Sequence, residues 1–194
     1  RSDDIEDILK RRSDIEVVSL VHHETTTGLL NPLQAVGELA KKYGKVFLVD
    51  CISSIAGDEM DFTCIDLAVG TANKCLQGVP GVSFVLLRKK DLARLIKIPA
   101  RTLYFNLTEY HKAQETGGLL FTPAIPAHYA LDVALDELIE ETVAGRIKRY
   151  GDAANFLRDG FKNLGLEFLI PQVWRSNCLT GLKLPKGINY EKLH

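Results

Sequence analysis

The chain has 194 residues, 46% of them hydrophobic, enough for one sizeable core and part of another. Its 24 basic and 25 acidic residues leave a formal charge of -1, so there is no electrostatic basis for binding nucleic acid or an anionic membrane. No apolar run approaches the roughly 20 residues that span a bilayer. No N-terminal signal pattern is visible, and Cys51, Cys64, Cys75 and Cys178 form neither a CxxC pair nor a His/Cys metal spacing. The simplest account is a cytoplasmic protein with reduced thiols and no metal, in which Cys51 and Cys75 serve as small buried hydrophobes.

Residues 1–12 are charged, with Ile5, Ile8 and Leu9 at helical spacing, which predicts a short amphipathic helix. Residues 15–21 (IEVVSLV) predict a buried strand. Directly after it comes His22-His23-Glu24-Thr25-Thr26-Thr27-Gly28, a polar cluster at the edge where open α/β sheets collect ligands. Three threonines after a strand also suit a β-rich turn, so Thr25 has two readings. His22 and His23 can titrate near neutrality, but a pair without a third ligand makes no metal site, and both are assigned to packing or support.

A helix follows, with Asn31 as cap, Pro32 in the first turn and Gln34 completing a capping box. Leu33, Val36, Leu39, Ala40 and Tyr43 form its apolar face, and Gly44 stops it. Residues 45–49 (KVFLV) predict a further buried strand that ends at Asp50, a residue suited either to starting a turn or to a buried role. Two more predicted strands, 65–69 and 82–87, flank the run Gly70 to Gly81, which contains Lys74. A lysine held among apolar walls loses its charge readily and can condense with an aldehyde. The alternative is a stem that packs while its head reaches water. Alternating strands and helices with uninterrupted apolar strands predict the α/β class, a mostly parallel sheet with helices on both faces. Thr25, Asp50 and Lys74 then each follow a strand.

Beyond Lys89 the chain reads as helical and loopy. Residues 101–120 predict a polar connection long enough to be functional, and 121–126 (FTPAIP) an extended segment. A long helix then carries Ala127, Leu131, Ala134, Leu135 and Leu138 on its apolar stripe. The next buries Ala153, Phe156, Leu157, Phe161 and Leu164 and ends at Gly165. Segments 166–170 and 178–184 predict strands of a second, smaller domain. The expected division is 1–126 for the C-terminal part of a large domain, 127–165 for connecting helices and 166–194 for the start of the small one. The missing initial Met and the end at Glu191-Lys192-Leu193-His194, the first turn of an unfinished helix, read as a fragment.

Asn73-Lys74-Cys75-Leu76-Gln77-Gly78-Val79-Pro80-Gly81 resembles the cofactor-lysine segment of class V aminotransferases, pyridoxal-phosphate enzymes of fold type I. The resemblance is dense to about Gly81 and looser after Leu87. It takes in Leu30-Asn31-Pro32, Tyr43-Gly44-Lys45, Gly145-Arg146 and Arg149-Tyr150. It implies pyridoxal 5'-phosphate as cofactor, held covalently by Lys74, which would also shuttle the substrate proton. Asp50, in a Val-Asp-x-x-Ser-Ser setting, would keep the ring nitrogen protonated, with Ile52 against one ring face. Thr25 would bond near the ring's 3'-oxygen, and Thr122 would reach the neighbouring subunit's cofactor phosphate, implying a homodimer with shared active sites. The family's phosphate loop and stacking aromatic are expected before Arg1, and its substrate arginine after His194.

Within the family the run is most similar to the branch that moves an amino group from 2-aminoethylphosphonate to pyruvate, giving phosphonoacetaldehyde and L-alanine. Gln77 favours that branch over alanine- or serine–glyoxylate enzymes. Asn73 stands where cysteine desulfurases place His. A non-catalytic or incomplete chain on the same scaffold is the alternative from another class.

Overall fold

A computed structural model describes residues 2–193; Arg1 and His194, at the outer ends of the first and last predicted helices, lie outside the described residues. The order is α1 (Ser2–Arg11), β1 (Val17–Val21), β2 (His23–Glu24), β3 (Leu29–Leu30), α2 (Leu33–Lys42), β4 (Val46–Asp50), β5 (Leu67–Thr71) and β6 (Ser83–Leu87). Then come α3 (Lys89–Leu95), α4 (Leu107–Glu115), α5 (Ile125–Glu141), α6 (Val143–Asn163) and α7 (Tyr190–Leu193).

The apolar strands assemble as one sheet in the order β1-β4-β5-β6, with β1, β4 and β5 parallel and β6 antiparallel to β5. The α/β class with a mainly parallel sheet is as expected. Val18, Leu20, Phe47, Val49 and Ala68 share one face and pack with Leu33, Val36 and Ala40 of α2 into the main core. Burying Phe47 and Val49 completely contributes roughly 2 kcal/mol each. Leu9 anchors α1, while Ile8 of the same predicted stripe is exposed.

The expectation of full burial fails at β1 and β6. Both are edge strands, and on the opposite face Val17, Val21 and Val85 are about half-exposed. The capping box at α2 is also absent. Pro32 occupies the cap position without a side-chain bond, Asn31 Nδ2 donates to Val21 O at 2.8 Å, and Gln34 Nε2 donates to Glu38. Asn31 thus ties the incoming loop to the end of β1 instead. Gly44, at φ +64°, ends the helix as expected.

Downstream, the polar connection 101–120 contains α4, whose cap is the Asn106 side chain accepting from Glu109 N–H. In α5, Ala127, Ala134 and Leu138 are buried as expected. In α6 the predicted buried face is corrected. Ala153, Phe156, Leu157 and Leu164 are exposed, whereas Arg146 and Ala154 are buried. The helix turns its Arg146–Tyr150–Arg158 stripe inward because that stripe finds carbonyl, amide and hydroxyl partners there. The predicted strands 166–170 and 178–184 reduce to one antiparallel bridge, Phe168 with Leu182, flanked by Leu169 N–H to Gly181 O and Lys183 N–H to Glu167 O. No helix among the described residues is long and apolar enough to cross a membrane.

Candidate active site

Three strand ends meet at one edge of the sheet. Asp50, the last residue of β4, lies in register with Val21 of β1 and Val69 of β5. The next residues continue the pairing: His22 N–H donates to Asp50 O at 2.9 Å and Cys51 N–H to Val69 O at 3.0 Å. Thr71 then closes β5, three residues before Lys74. Asp50 and Lys74 therefore leave adjacent strands at the same edge, where parallel strands of an open α/β sheet end.

Asp50 is half-buried and its Oδ1 accepts from Ile52 N–H at 2.9 Å. It starts a turn and keeps its second carboxylate oxygen for another partner. Both readings of this residue are thus compatible with one geometry.

The Lys74 turn is built by its own backbone: Gln77 N–H donates to Lys74 O at 2.9 Å and Gly78 N–H to Ala72 O at 2.8 Å. A side chain at Gly78 would crowd Ala72 O, its Cβ lying 3.1 Å away. Thr71 Oγ1 lies 2.8 Å from Asn73 Oδ1 and 3.1 Å from Val82 O, at the point where the strand opens into the turn. Lys74 itself is exposed, so the expected apolar walls are not supplied by the described residues. It stands on a closed turn that follows β5.

Thr25 sits at the tip of the β2–β3 hairpin. Glu24 organises that tip, its Oε1 accepting from both the N–H and the hydroxyl of Thr26 and its carbonyl from Gly28 N–H. Thr25 is left exposed with no bonded partner among the described residues. Thr122 is also exposed, next to Phe121, whose ring packs on Tyr104 and Tyr110. Asp50 ends β4 and Lys74 follows the neighbouring β5 at the same sheet edge; Thr25 lies on the hairpin that follows β1, and Thr122 on the segment leading into α5.

His22 and His23 are both buried. Burial pushes the His22 imidazole below its ordinary pKa against the opposing charge of Asp58. His23 Nδ1 lies 2.9 Å from Ser53 O and 3.4 Å from Ser176 Oγ, so it supports the loop behind Asp50.

Two buried charges escaped the sequence reading as structural partners of the site. Arg146 is 1% exposed, and its Nη1 donates to Cys75 O at 3.3 Å and Leu76 O at 3.2 Å, while Nε donates to Glu141 at 2.6 Å. Tyr150, one helical turn on, receives the Gln77 amide at 3.0 Å. Hydrogen bonds from Arg149 and Arg146 hold the Glu141 carboxyl at a pKa of about 2. The sequence signal for Arg146 is a cationic stripe at helical spacing, masked by the apolar residues of α6, which point to another face. Asp58, 2% exposed, accepts from Ser176 Oγ at 2.9 Å and Asn177 N–H at 2.8 Å, joining the loop after Asp50 to the C-terminal segment. Nothing in its sequence setting, Gly57-Asp58-Glu59, distinguishes it from a solvated turn.

Gly57 lies between these parts. A Cβ there would stand 2.5 Å from Cys178 Sγ and 2.6 Å from Cys75 Sγ. Gly57→Ala is therefore expected to destabilise the protein by about 1–3 kcal/mol, measured by denaturant titration; an unchanged midpoint would show that the sulfurs can move aside freely.

The family model described as aminotransferase class-V matches residues 1–171. A 2-aminoethylphosphonate–pyruvate transaminase of Syntrophobacter fumaroxidans is 37% identical over 199 residues, covering 99% of this chain and 53% of the relative. An uncharacterized aminotransferase of Methanocaldococcus jannaschii is 34% identical over 192 residues, covering 97% of this chain and 50% of the relative. Among solved structures, pyridoxamine-pyruvate aminotransferase from Mesorhizobium loti superposes with a TM-score of 0.90 at 28% identity, covering 100% of this chain and 51% of that one. The chain thus spans about half the length of the curated relatives it matches.

Proposed function

This chain belongs to the class V aminotransferase family, and from that premise we propose that the protein transaminates 2-aminoethylphosphonate with pyruvate, yielding phosphonoacetaldehyde and L-alanine. The observation that carries this reading is the joint emergence of Asp50 and Lys74 from adjacent strands at one edge. The identity to named 2-aminoethylphosphonate transaminases, 36–38% over nearly the whole chain, supports the substrate.

Pyridoxal phosphate is the family's cofactor. The donor set fits it: an exposed primary amine and a carboxylate with one uncommitted oxygen leave adjacent strands at one edge, and an exposed threonine hydroxyl lies on the hairpin after the neighbouring β1. When bound, the cofactor supplies an aldehyde for amines and an electron sink for the carbanion. Lys74 would hold that aldehyde and, once displaced by the substrate amine, take and return a proton at Nζ. Asp50 would favour a protonated ring nitrogen through its charge, and Ile52 would lie against the ring. The Thr25 hydroxyl would donate to a ring oxygen.

We assign Thr122 to a neighbouring subunit's site in a homodimer. Nearby segments support this: Phe105, Leu119, Ile125, Tyr129 and Val133 are all exposed apolar side chains. The large domain would then end near residue 126, with connecting helices to 165 and the small domain beyond.

The test offers the holoprotein 2-aminoethylphosphonate with pyruvate, and separately serine or alanine with glyoxylate, and measures product amino acid. The phosphonate pair is expected to give a kcat/KM about 100-fold higher. Preference for the glyoxylate pairs would move the enzyme to that branch, and no turnover of any pair would favour a non-catalytic chain.

A further inference from the structure

We propose that Cys75 and Cys178 form a redox pair that closes under peroxide to a disulfide, tying the Lys74 turn to the turn at residues 176–178. Their sulfurs stand 3.3 Å apart, in contact although 103 residues separate them in sequence. All four cysteines are free thiols, and the other two have separate partners: Cys51 Sγ donates to Val69 O and Cys64 Sγ to Asp61 O.

The contact is held from both sides. Cys75 O is pinned by the buried Arg146 guanidinium. Cys178 N–H donates to Ser176 Oγ at 2.9 Å, and that hydroxyl in turn donates to buried Asp58. Gly57, lacking a Cβ, supplies the floor against which both sulfurs lie. Each backbone is therefore fixed by bonds that do not involve the thiols, and the approach of the two sulfurs follows from the surrounding framework.

The electrostatics distinguish the two partners. The hydrogen bond between the two sulfurs lowers the Cys75 thiol below its ordinary pKa, aided by Arg146 and Lys74 against burial and the Asp58 charge. The same hydrogen bond, with burial, raises Cys178. With the Arg146 guanidinium on its own carbonyl and Lys74 next to it in the chain, Cys75 is assigned as the attacking thiolate and Cys178 as the resolving thiol. The Cys75 thiolate attacks one oxygen of hydrogen peroxide and the O–O bond breaks. The departing hydroxide takes up the proton Cys75 had lost, leaving water and a sulfenic acid. Cys178 then attacks that sulfur, the S–O bond breaks, and the leaving hydroxyl carries off the Cys178 proton as a second water. One peroxide and two thiols give one disulfide and two waters. A dithiol reductant reverses the step by exchange.

The test treats the holoprotein with one equivalent of hydrogen peroxide, alkylates the remaining thiols, digests without reduction and identifies the peptides by mass. The expected result is a fall from four free thiols to two per chain, a single Cys75–Cys178 cross-linked peptide, and recovery of all four thiols with dithiothreitol. Cys178→Ser, and independently Cys178→Ala, should abolish the cross-link while Cys51 and Cys64 remain alkylated in every sample. A cross-link through another pair or between two chains would overturn the proposal, as would alkylation of both Cys75 and Cys178 after oxidation. The readout is covalent, so it stands or falls separately from the assigned amino-transfer activity.

Discussion

Lys74→Ala is expected to lower kcat/KM for amino transfer by about 10⁴-fold, the upper range for removing a group that moves the proton. Its exposed ammonium has no bonded partner among the described residues, so the substitution should leave the unfolding midpoint within about 0.5 kcal/mol of the parent. That separation of activity from stability makes the variant informative. Steady-state kinetics on the holoprotein, paired with a denaturant titration, provide the check. Retention of more than a tenth of the activity would remove Lys74 from the chemistry, whatever the fate of the fold. Lys74→Arg should behave like alanine, because a guanidinium stays protonated and cannot serve as a base.

Arg146→Ala should have the largest effect on stability. Its guanidinium is 2% exposed at the side chain and is committed to Cys75 O, Leu76 O and Glu141. Truncation strands two carbonyls at roughly 1–3 kcal/mol each, so a loss of about 3 kcal/mol is expected, read as a lowered denaturant midpoint. Glu141 keeps Arg149, at 2.6 Å, and does not become an isolated charge. The carbonyls released belong to the two residues that follow Lys74, so kcat should fall as well in the surviving folded fraction. Arg146→Lys keeps the charge but cannot present the same fork and should recover less than half of the lost stability. A midpoint unchanged in Arg146→Ala would mean that water satisfies those carbonyls at no cost.

The mainly parallel sheet and the apolar face of α2 are legible because β4 and β5 are short apolar runs with turn signals at both ends, and α2 carries a clean 3.6-residue stripe. The placement of Asp50 and Lys74 at one edge followed from those strands alone. The exposure of β1 and β6 is not legible, because an apolar strand looks the same whether one or both of its faces are covered. For α6 the periodicity itself misled. Phe156, Leu157 and Leu164 suggested a buried stripe, but burial in this helix is decided by hydrogen-bond demand from the Lys74 turn and from residues 176–180. Long-range polar pairings such as Asp58 with Ser176 leave no local pattern, since neither residue's neighbours reveal that a partner lies over a hundred positions away. Lys74 was expected among apolar walls on the chemistry of its amine; the described residues hold its backbone firmly and leave its head open.

Helix α6 touches the molecule's two halves at different points along its length. Near its start Arg146 and Tyr150 grip the Lys74 turn, and further along Arg158 bonds to Thr180 Oγ1 and to the Ser176 carbonyl. Those grips are about 18 Å apart at 1.5 Å per residue, and a tilt of about 5° about one of them displaces the other by about 1.6 Å. One helix thus carries the supports of two segments far apart in sequence, the carbonyls beside Lys74 and residues 176–180.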